Sequence, residues 1–542
     1  MKVLLIQPPI QDFYQTEIRL QPIGLCYLKA AVKKFLPEVD VVIKDFHQGF
    51  GRRSIPVPKE LSYLKRYYAV PDRSPFSTFY HYYHFGASFE QIAEEVKNEK
   101  PDLVGISALF SPYYREAVQV AAVVKKHWPV PVLMGGSHVS AAPLSVLNNP
   151  AVDFIIRGEG ERPLVEFLKV FSNGRNYASV PNLGFKEKSH CILNRIEENY
   201  LLNQIPAPDL GDAPLNRYSF ENRPLSFVIT SRSCPHRCSF CSVHLTFGHQ
   251  FRRRGVEDVL QELQARYDQG YRVFDFEDDN LTYYKEEMKR LCKRVIESFP
   301  GKDIQLLAMN GISYLSLDEE LLSLMKEAGF SHLNLALVTS DQTVLSTTKR
   351  PHTVQKYLEV VRATSRLKMK VVSYQILGLP QESLDSMVQT LVFNARLPVL
   401  LGASLFYLTP ASPIAREFSE RTEEDIFKSR LTAMAIETDH FSRDDLYTLF
   451  VITRILNFLK GIPFEEERIF LAEALQKAAH QDKRSRQGAF LLERLLQEGN
   501  LYSDTTCGLK LNTVFKNDLF LKVWSQLGRI CTLTNHFIQL QS

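Results

Sequence analysis

Ser231-Arg-Ser-Cys234-Pro-His-Arg-Cys238-Ser-Phe-Cys241 is the stretch on which the reading of the chain turns. Its three cysteines fall at C-x3-C-x2-C spacing, directly after the extended run 225–230. Cysteine is sparse, with 8 in 542 residues, so three within eight positions are not a scatter. Thiolates are soft ligands, and they hold iron–sulfur clusters. Three of them fill three corners of a [4Fe–4S] cube and leave the fourth iron open to a substrate or a second cofactor. Zinc is the rival occupant. Structural zinc takes four protein ligands, and His236 or His244 is the available fourth.

The spacing and its place after a strand resemble the radical SAM superfamily. That resemblance implies a [4Fe–4S] cluster on Cys234, Cys238 and Cys241 whose open iron chelates S-adenosylmethionine. Reduction then splits the sulfonium to a 5′-deoxyadenosyl radical.

Length and composition allow three or four ordinary domains, with 45% apolar residues to fill their cores. A net charge of +4 on this length is close to neutral and gives no argument for nucleic acid or an anionic membrane. Cys26, Cys191, Cys292, Cys507 and Cys531 follow no disulfide framework, which predicts a reducing, cytoplasmic location. The start of the chain is too short in apolar residues for a secretory signal. No apolar run approaches the ~18 residues of a membrane span.

Residues 1–200 alternate short apolar runs with helical patterns. Strands are predicted at 2–6, 39–43, 103–107, 132–134 and 154–156, and helices at 24–35, 89–98 and 114–128. Such alternation predicts a doubly wound, Rossmann-like parallel sheet, which binds ligands beyond its strands' carboxyl ends. Pro8, Ser107, Leu109, Gly135, Gly136, Gly158 and Glu159 fall at those ends. In that order they resemble the cobalamin-binding domain found upstream of many radical SAM domains. The resemblance makes Ser107, Leu109, Gly135 and Gly136 the lining of a slot for the dimethylbenzimidazole tail, and Pro8, Gly158 and Glu159 further cofactor contacts. The Asp-x-His-x-x-Gly motif that supplies a cobalt ligand elsewhere is absent after strand one. Asp45-Phe-His47-Gln-Gly49 follows strand two with its glycine one place early, so no histidine on cobalt is expected. His138 is expected to be a hydrogen-bonded loop residue. The insert 50–88 is crowded with aromatic rings and reads either as a shield over the ligands or as a satellite core. A linker with a small hairpin follows over 172–222, its crossing at 201–222 marked by Pro206, Pro208 and Pro214.

Residues 223–415 repeat βα units, with strands predicted at 227–231, 272–276, 304–308, 333–337, 370–377 and 403–408. The intervening helices are predicted at 256–267, 285–298, 318–328, 354–367 and 383–395. The run resembles the partial (β/α)6 radical SAM barrel, whose site sits at the strands' carboxyl ends. The resemblance places Phe240 near the adenine of S-adenosylmethionine, and Glu277, Asp278 and Asp279 at its amino end or the substrate. Asn310 ends strand three. Gly378 and Pro380 form a Gly-Leu-Pro-x-Glu turn against the adenine, and Tyr407 and Thr409 face the substrate. Of these, Tyr407, Glu277 and Asp278 are the candidate catalytic residues. Strand four departs from the family: Val338, Thr339 and Ser340 stand where relatives carry Glu-Ser-Gly, leaving Thr339 or Ser340 to supply a weaker polar contact. Arg252, Arg253 and Arg254 read as a solvated basic face or as a contact for an acidic partner.

Residues 416–542 read as a helical domain, with helices at 416–441 and 446–459 and more over 465–499. His440 there reads as a surface residue. The combined resemblance implies a cobalamin-dependent radical SAM C-methyltransferase with a small-molecule or lipid-like substrate. A flavodoxin- or ferredoxin-type protein would supply its electron. Cyclisation, hydroxylation or ring contraction with the same cofactors, a domain that binds no corrin, and a zinc-bearing scaffold stay open at this point.

Overall fold

The computed structural model of the protein describes residues 1–540 apart from 19, 174–175, 189, 198–200, 302 and 419–421. The first strand, Lys2–Gln7, sits inside a seven-stranded sheet and is covered on both faces. Its alternate residues serve different cores, Val3 and Leu5 one, Leu4 and Ile6 the other. That two-sided burial is why it reads as an unbroken apolar run. Asp40–Asp45 and Leu103–Ser107 flank it in parallel. Val132–Gly135 and Phe154–Ile156 extend the parallel sheet, and the hairpin Leu183–Glu187 and His190–Leu193 ends it antiparallel. Helices Ile23–Phe35 and Glu161–Asn173 pack together, as do Phe89–Glu99 and Tyr114–His127.

The barrel is parallel and open. Arg223–Val228, Val273–Phe276 and Gln305–Leu307 form one group. His332–Val338, Lys370–Leu377 and Leu400–Leu405 form a second. Single backbone bridges, Leu306 to Phe330 and Ile312 to Leu335, join the groups. Among the described residues no pairing closes the sixth strand onto the first. Strands one and six both start and end earlier than the apolar runs suggested, so Ser231, Phe406 and Tyr407 lie beyond them in the barrel mouth. The apolar run continues past strand six because the loop residues Phe406 and Leu408 are themselves buried.

The aromatic insert forms a satellite core only in part, through Tyr83 and Phe85 with Ile10 and Tyr113, and most of its rings join the main core. Arg52–Ile55 and Tyr82–Phe85 build a small antiparallel sheet with Ile10–Asp12. The rings between turn onto the carboxyl-terminal region: Phe79 stacks on Phe450 at 5.7 Å, and Phe76 meets Phe458 at 5.7 Å. Tyr68 Oη donates to Thr432 O at 2.7 Å, and Tyr63 Oη to Ala433 O at 2.8 Å. Leu61, Leu64, Phe76 and Tyr82 belong to the main core.

The carboxyl-terminal region is largely helical, led by the long buried helix Arg443–Lys460. Helices Leu471–Ala479, Lys483–Glu498 and Asn517–Leu527 follow, with two small sheets between and after them. The helix expected over 416–441 does not form. The described part holds only the short helix Glu423–Phe427 and two 3-10 turns, Pro413–Glu417 and Leu431–Ala433, and 419–421 lie outside the described residues. Its polar groups bond outward instead, Ser429 Oγ to Leu408 O and the Arg430 guanidinium to carbonyls of the amino-terminal domain. Such cross-chain bonds replace the internal ladder of a helix.

Candidate active site

A cavity of about 360 Å³ opens where the carboxyl ends of the amino-terminal sheet meet the barrel. Ser107, Leu109, Gly135, Gly136, Gly158 and Glu159 line it from the sheet. Phe227, Ile229 and Glu277 line it from the barrel. Two turns close its floor. Gly136 has φ +115°, and a Cβ there would lie 2.7 Å from Ala108 O, inside the Ser107–Leu109 turn. Only glycine tolerates both the dihedral and the approach. Gln21 spans the junction: its Oε1 accepts from Phe227 N at 2.6 Å, while its buried Nε2 has no partner in the wall. A buried amide donor without a partner invites an acceptor on a ligand. Pro8 is buried beside the cavity, and its neighbour Gln7 is the residue that lines it. A wider recess of about 680 Å³ around Phe50, Gln91 and Asp212 is open to solvent and holds none of the expected site residues.

On the barrel side, Cys234, Cys238 and Cys241 converge in the loop beyond strand one, close enough that each of Cys234 and Cys241 feels other thiols of the set. Burial pushes the Cys234 thiol up and the Cys241 thiol up to about 11, so a cation is needed to hold them as thiolates. Asn280 Nδ2 donates to Cys234 Sγ at 3.5 Å, and Arg350 Nη1 stands 4.0 Å from Cys238 Sγ. The loop is pinned by Ser239 N to Thr348 O at 2.9 Å and by Ile414 N to Ser239 O at 2.8 Å. Among the described residues no three or more His, Cys, Asp or Glu are grouped to hold a metal ion.

A family model described as Radical SAM superfamily matches residues 228–393, and one described as B12 binding domain matches residues 77–168. The chain carries a radical SAM domain and, ahead of it, a B12-binding domain. An uncharacterized methyltransferase of Pyrococcus horikoshii is 28% identical over 406 residues, 74% of this chain and 79% of that protein. The cytidylyl-2-hydroxyethylphosphonate methyltransferase of Streptomyces wedmorensis is 24% identical over 414 residues, 70% of this chain and 73% of that protein. The fold is similar to the cobalamin-dependent S-adenosylmethionine radical enzyme OxsB solved with aqua-cobalamin and S-adenosylmethionine. That match has a TM-score of 0.60 at 13% identity and covers 97% of this chain and 78% of that one.

These domains imply three cofactors: a [4Fe–4S] cluster and S-adenosylmethionine for the radical SAM domain, and cobalamin for the other. The residues present fit them. The three thiols converge in one loop, as a [4Fe–4S] cluster with one open iron requires. The cavity's bare glycine floor, apolar wall and spare amide donor suit a flat ring edged with carbonyls.

Several expected contacts of the radical SAM domain are made elsewhere. Asp278 does not face the mouth: Thr230 Oγ1 donates to it at 2.7 Å, Thr230 N at 3.2 Å, and Ser231 Oγ also bonds it. It ties strand one to strand two and is no free catalytic group. Asp279 accepts from Ser233 N at 3.1 Å and is pushed up to about 7 by burial and by Asp278. Glu277 remains in the cavity wall. Asn310 is exposed and donates to Asp278 O at 3.4 Å. Phe240 packs half-buried against the main core. The bare face of Gly378, φ +91°, is filled by Leu446 at 3.1 Å and Phe441 at 3.5 Å, and Pro380 follows in the same turn. That turn therefore docks the long carboxyl-terminal helix rather than standing open to an adenine. Strand four ends at Val338 with φ +70°, an outlier for a β-branched residue. The chain turns there, and Thr339 Oγ1 bonds Glu382 at 2.7 Å while Ser340 Oγ meets Thr390 Oγ1 at 2.9 Å. Neither offers the mouth a polar contact. Glu382 is pushed up to about 7 by burial.

Tyr407 is 41% exposed although protein surrounds it, since its phenol lies near both Cys241 and Tyr14. It faces an internal space beside the cluster loop. His47 Nε2 donates to Ile18 O at 2.9 Å, and the residue does not line the cavity. His138 is buried under the Gly136 turn, 3.0 Å from Ser111 Oγ and against the Tyr114 ring, and burial lowers it to about 4. His440 is exposed.

The arginine run is neither a solvated face nor a free basic patch. Arg252 pairs with Glu159 and Arg254 with Glu262, both buried. Sequence reasoning missed Arg232 and Arg350, and placed Glu161 at the end of a strand without giving it a partner. Arg232 stands inside the cysteine motif, and only its mate Glu161 in a distant turn gives it meaning. Arg350, in a Lys-Arg-Pro-His run after strand four, carried a basic signal that nothing tied to the cysteines.

Proposed function

We propose that the protein methylates an unactivated carbon of a small-molecule or lipid-like substrate. The bound cofactors supply the chemistry, a hydrogen-abstracting radical from S-adenosylmethionine and a methyl group from methylcobalamin, started by one electron from a flavodoxin- or ferredoxin-type donor. Cys234, Cys238 and Cys241 hold the cluster, and Asn280 and Arg350 donate toward its sulfurs. Such donors stabilise the reduced cluster and tune its potential. Ser107, Leu109, Gly135, Gly136 and Gly158 seat the corrin, with Gln21 Nε2 offered to one of its carbonyls. Glu277 and Tyr407 border the reacting space. The apolar wall excludes water that would quench a carbon radical.

One observation carries this reading: a single cavity is walled on one side by the glycine turns of the B12-binding domain and on the other by the barrel strand that leads into the cysteine loop. Methyl transfer needs the donor and the radical in contact with the same carbon, and two strand-end surfaces facing one space supply that. Methyltransferases among the relatives support methyl transfer, while cyclases among them keep cyclisation as the second reading.

The test is anaerobic reconstitution with iron, sulfide, S-adenosylmethionine and hydroxocobalamin. The wild type is expected to bind about four irons, to bind cobalamin and to release 5′-deoxyadenosine on reduction. The triple variant Cys234→Ala, Cys238→Ala, Cys241→Ala should keep cobalamin and lose iron and cleavage. Unchanged iron and cleavage in that variant would overturn the assignment. A product mass without an added CH2 would overturn methyl transfer.

A further inference from the structure

The wall between the cavity and the cysteine loop holds a buried network of four charges. Arg232 Nη1 lies 2.6 Å from Glu159 Oε1, and Nη2 lies 2.5 Å from Glu161 Oε1. Arg252 reaches the second oxygen of Glu159 at 2.7 Å. All four side chains are below 10% exposure. Both glutamates come from the Gly158–Glu161 turn at the end of the B12-binding sheet. Both arginines come from the base of the cysteine loop, where Ser231–Arg232 pairs antiparallel with Arg252–Arg253. That pairing closes residues 233–251 into one excursion with all three cysteines inside it.

The surroundings reinforce the joint. Tyr27 and Phe247 flank the Arg232 guanidinium at 5.2 and 5.8 Å. Thr246 Oγ1 meets Ser137 Oγ at 3.2 Å. Gly158, φ +70°, lets its turn approach the loop, since a Cβ there would come within 3.3 Å of Thr246 O. Arg232, Glu159 and Glu161 also line the cavity itself.

A buried ion network is a poor source of stability, because apolar residues of similar volume often serve as well. Its attested use is to fix one register between packed parts. Here the parts are the two halves of the site. Arg232 stands two residues before the first cysteine, and its fork is bidentate across two carboxylates, so rotation of the loop about its base breaks at least one arm.

We propose that Arg232 is a positioning residue that fixes the cluster loop over the corrin cavity through Glu159 and Glu161, and so sets the distance and tilt between the two cofactors. It rests on the reading that the cysteines carry the cluster and the cavity takes cobalamin. Glu159 then acts at the joint rather than as a direct cofactor ligand.

The test reads geometry rather than turnover. The full-length protein is loaded with both cofactors, the cluster reduced and the cobalamin in its paramagnetic Co(II) form. Pulsed electron paramagnetic resonance then measures the cluster–cobalt dipolar coupling. The wild type is expected to give one narrow distance. Arg232→Met should retain iron and cobalamin yet give a broadened or second distance. Glu161→Gln, which weakens one arm from the opposite side, should do the same to a smaller degree. Arg232→Lys keeps the charge but not the fork, and should restore the distance only in part. A single wild-type distance in loaded Arg232→Met and Glu161→Gln would overturn the proposal. Loss of iron from all three variants would overturn it too, since that marks a merely structural role. A wild type that binds no iron or no cobalamin would instead sink the functional reading beneath it.

Discussion

Replacing Arg430 with methionine should unfasten the carboxyl-terminal region from the rest of the molecule. Arg430 is among the largest side chains sealed from solvent. Its Nη1 donates to Gln11 O at 2.8 Å and Tyr82 Oη at 3.2 Å and faces Asp12 Oδ2 at 3.5 Å. Nη2 donates to Pro112 O at 2.6 Å, and Nε to Phe427 O at 3.0 Å. Gln11 and Asp12 belong to the small antiparallel sheet at the start of the chain and Pro112 to the B12-binding domain, whereas Phe427 and Arg430 follow the barrel. Methionine keeps most of the stem's volume, so little cavity is made. What is lost is the cation and its donors, leaving a buried carboxylate held by Tyr113 and Thr432 and two buried carbonyls without partners. Removing one partner of a buried pair costs about 3–5 kcal/mol. With a urea dependence of about 3 kcal/mol per molar, the midpoint should fall by roughly 1 M or more. The chain has two tryptophans, Trp128 in the B12-binding domain and Trp524 in the helix Asn517–Leu527. Trp128→Phe and Trp524→Phe backgrounds report the two regions separately, and the Trp524 signal should unfold first in Arg430→Met. Shifts below about 0.3 M at both sites, equivalent to about 1 kcal/mol, would refute this account of Arg430.

Two further outcomes follow from single residues. Gly136→Ala places a methyl 2.7 Å from Ala108 O in a backbone of φ +115°, strain of about 1–3 kcal/mol, so titration with hydroxocobalamin should show affinity lowered about tenfold or more while iron content stays normal. Glu116 is buried, and burial pushes it up to about 7 against an unfolded value near 4.5. A carboxyl raised in the folded state supports folding fully below pH 4.5, and that support is lost as pH rises through 7. At pH 8 the penalty is about 3 kcal/mol, since each tenfold difference in proton affinity between the folded and unfolded chain is worth about 1.4 kcal/mol. Glu116→Gln should therefore raise the unfolding midpoint at pH 8 and leave it nearly unchanged at pH 4, and an equal gain at both would contradict the protonation argument.

Which parts were legible depended on the range of the interactions. Lys370–Leu377, Leu103–Ser107 and Lys285–Ser298 stand where their periodicity put them, because strand and helix patterns are written within a few residues. The glycine turn at Gly135-Gly136 was legible for the same reason: a left-handed backbone at a close approach admits one residue type. Asp278, Gly378, Thr339 and the arginine run were read by type and place, yet their partners Thr230, Leu446, Glu382 and Glu159 lie tens of residues away or more.

The sequence by itself determined two α/β domains in tandem, a three-thiol loop at the mouth of the second and glycine-floored strand ends on the first, since each is a local pattern with a local cause. Tertiary structure alone decided that these two mouths share one cavity, that most of the aromatic insert joins the main core, and that charged residues chosen as ligands are spent on each other across the joint. A carboxylate is the same in every turn of the chain, and whether it meets solvent, a cofactor or an arginine is settled only when distant segments are packed against it.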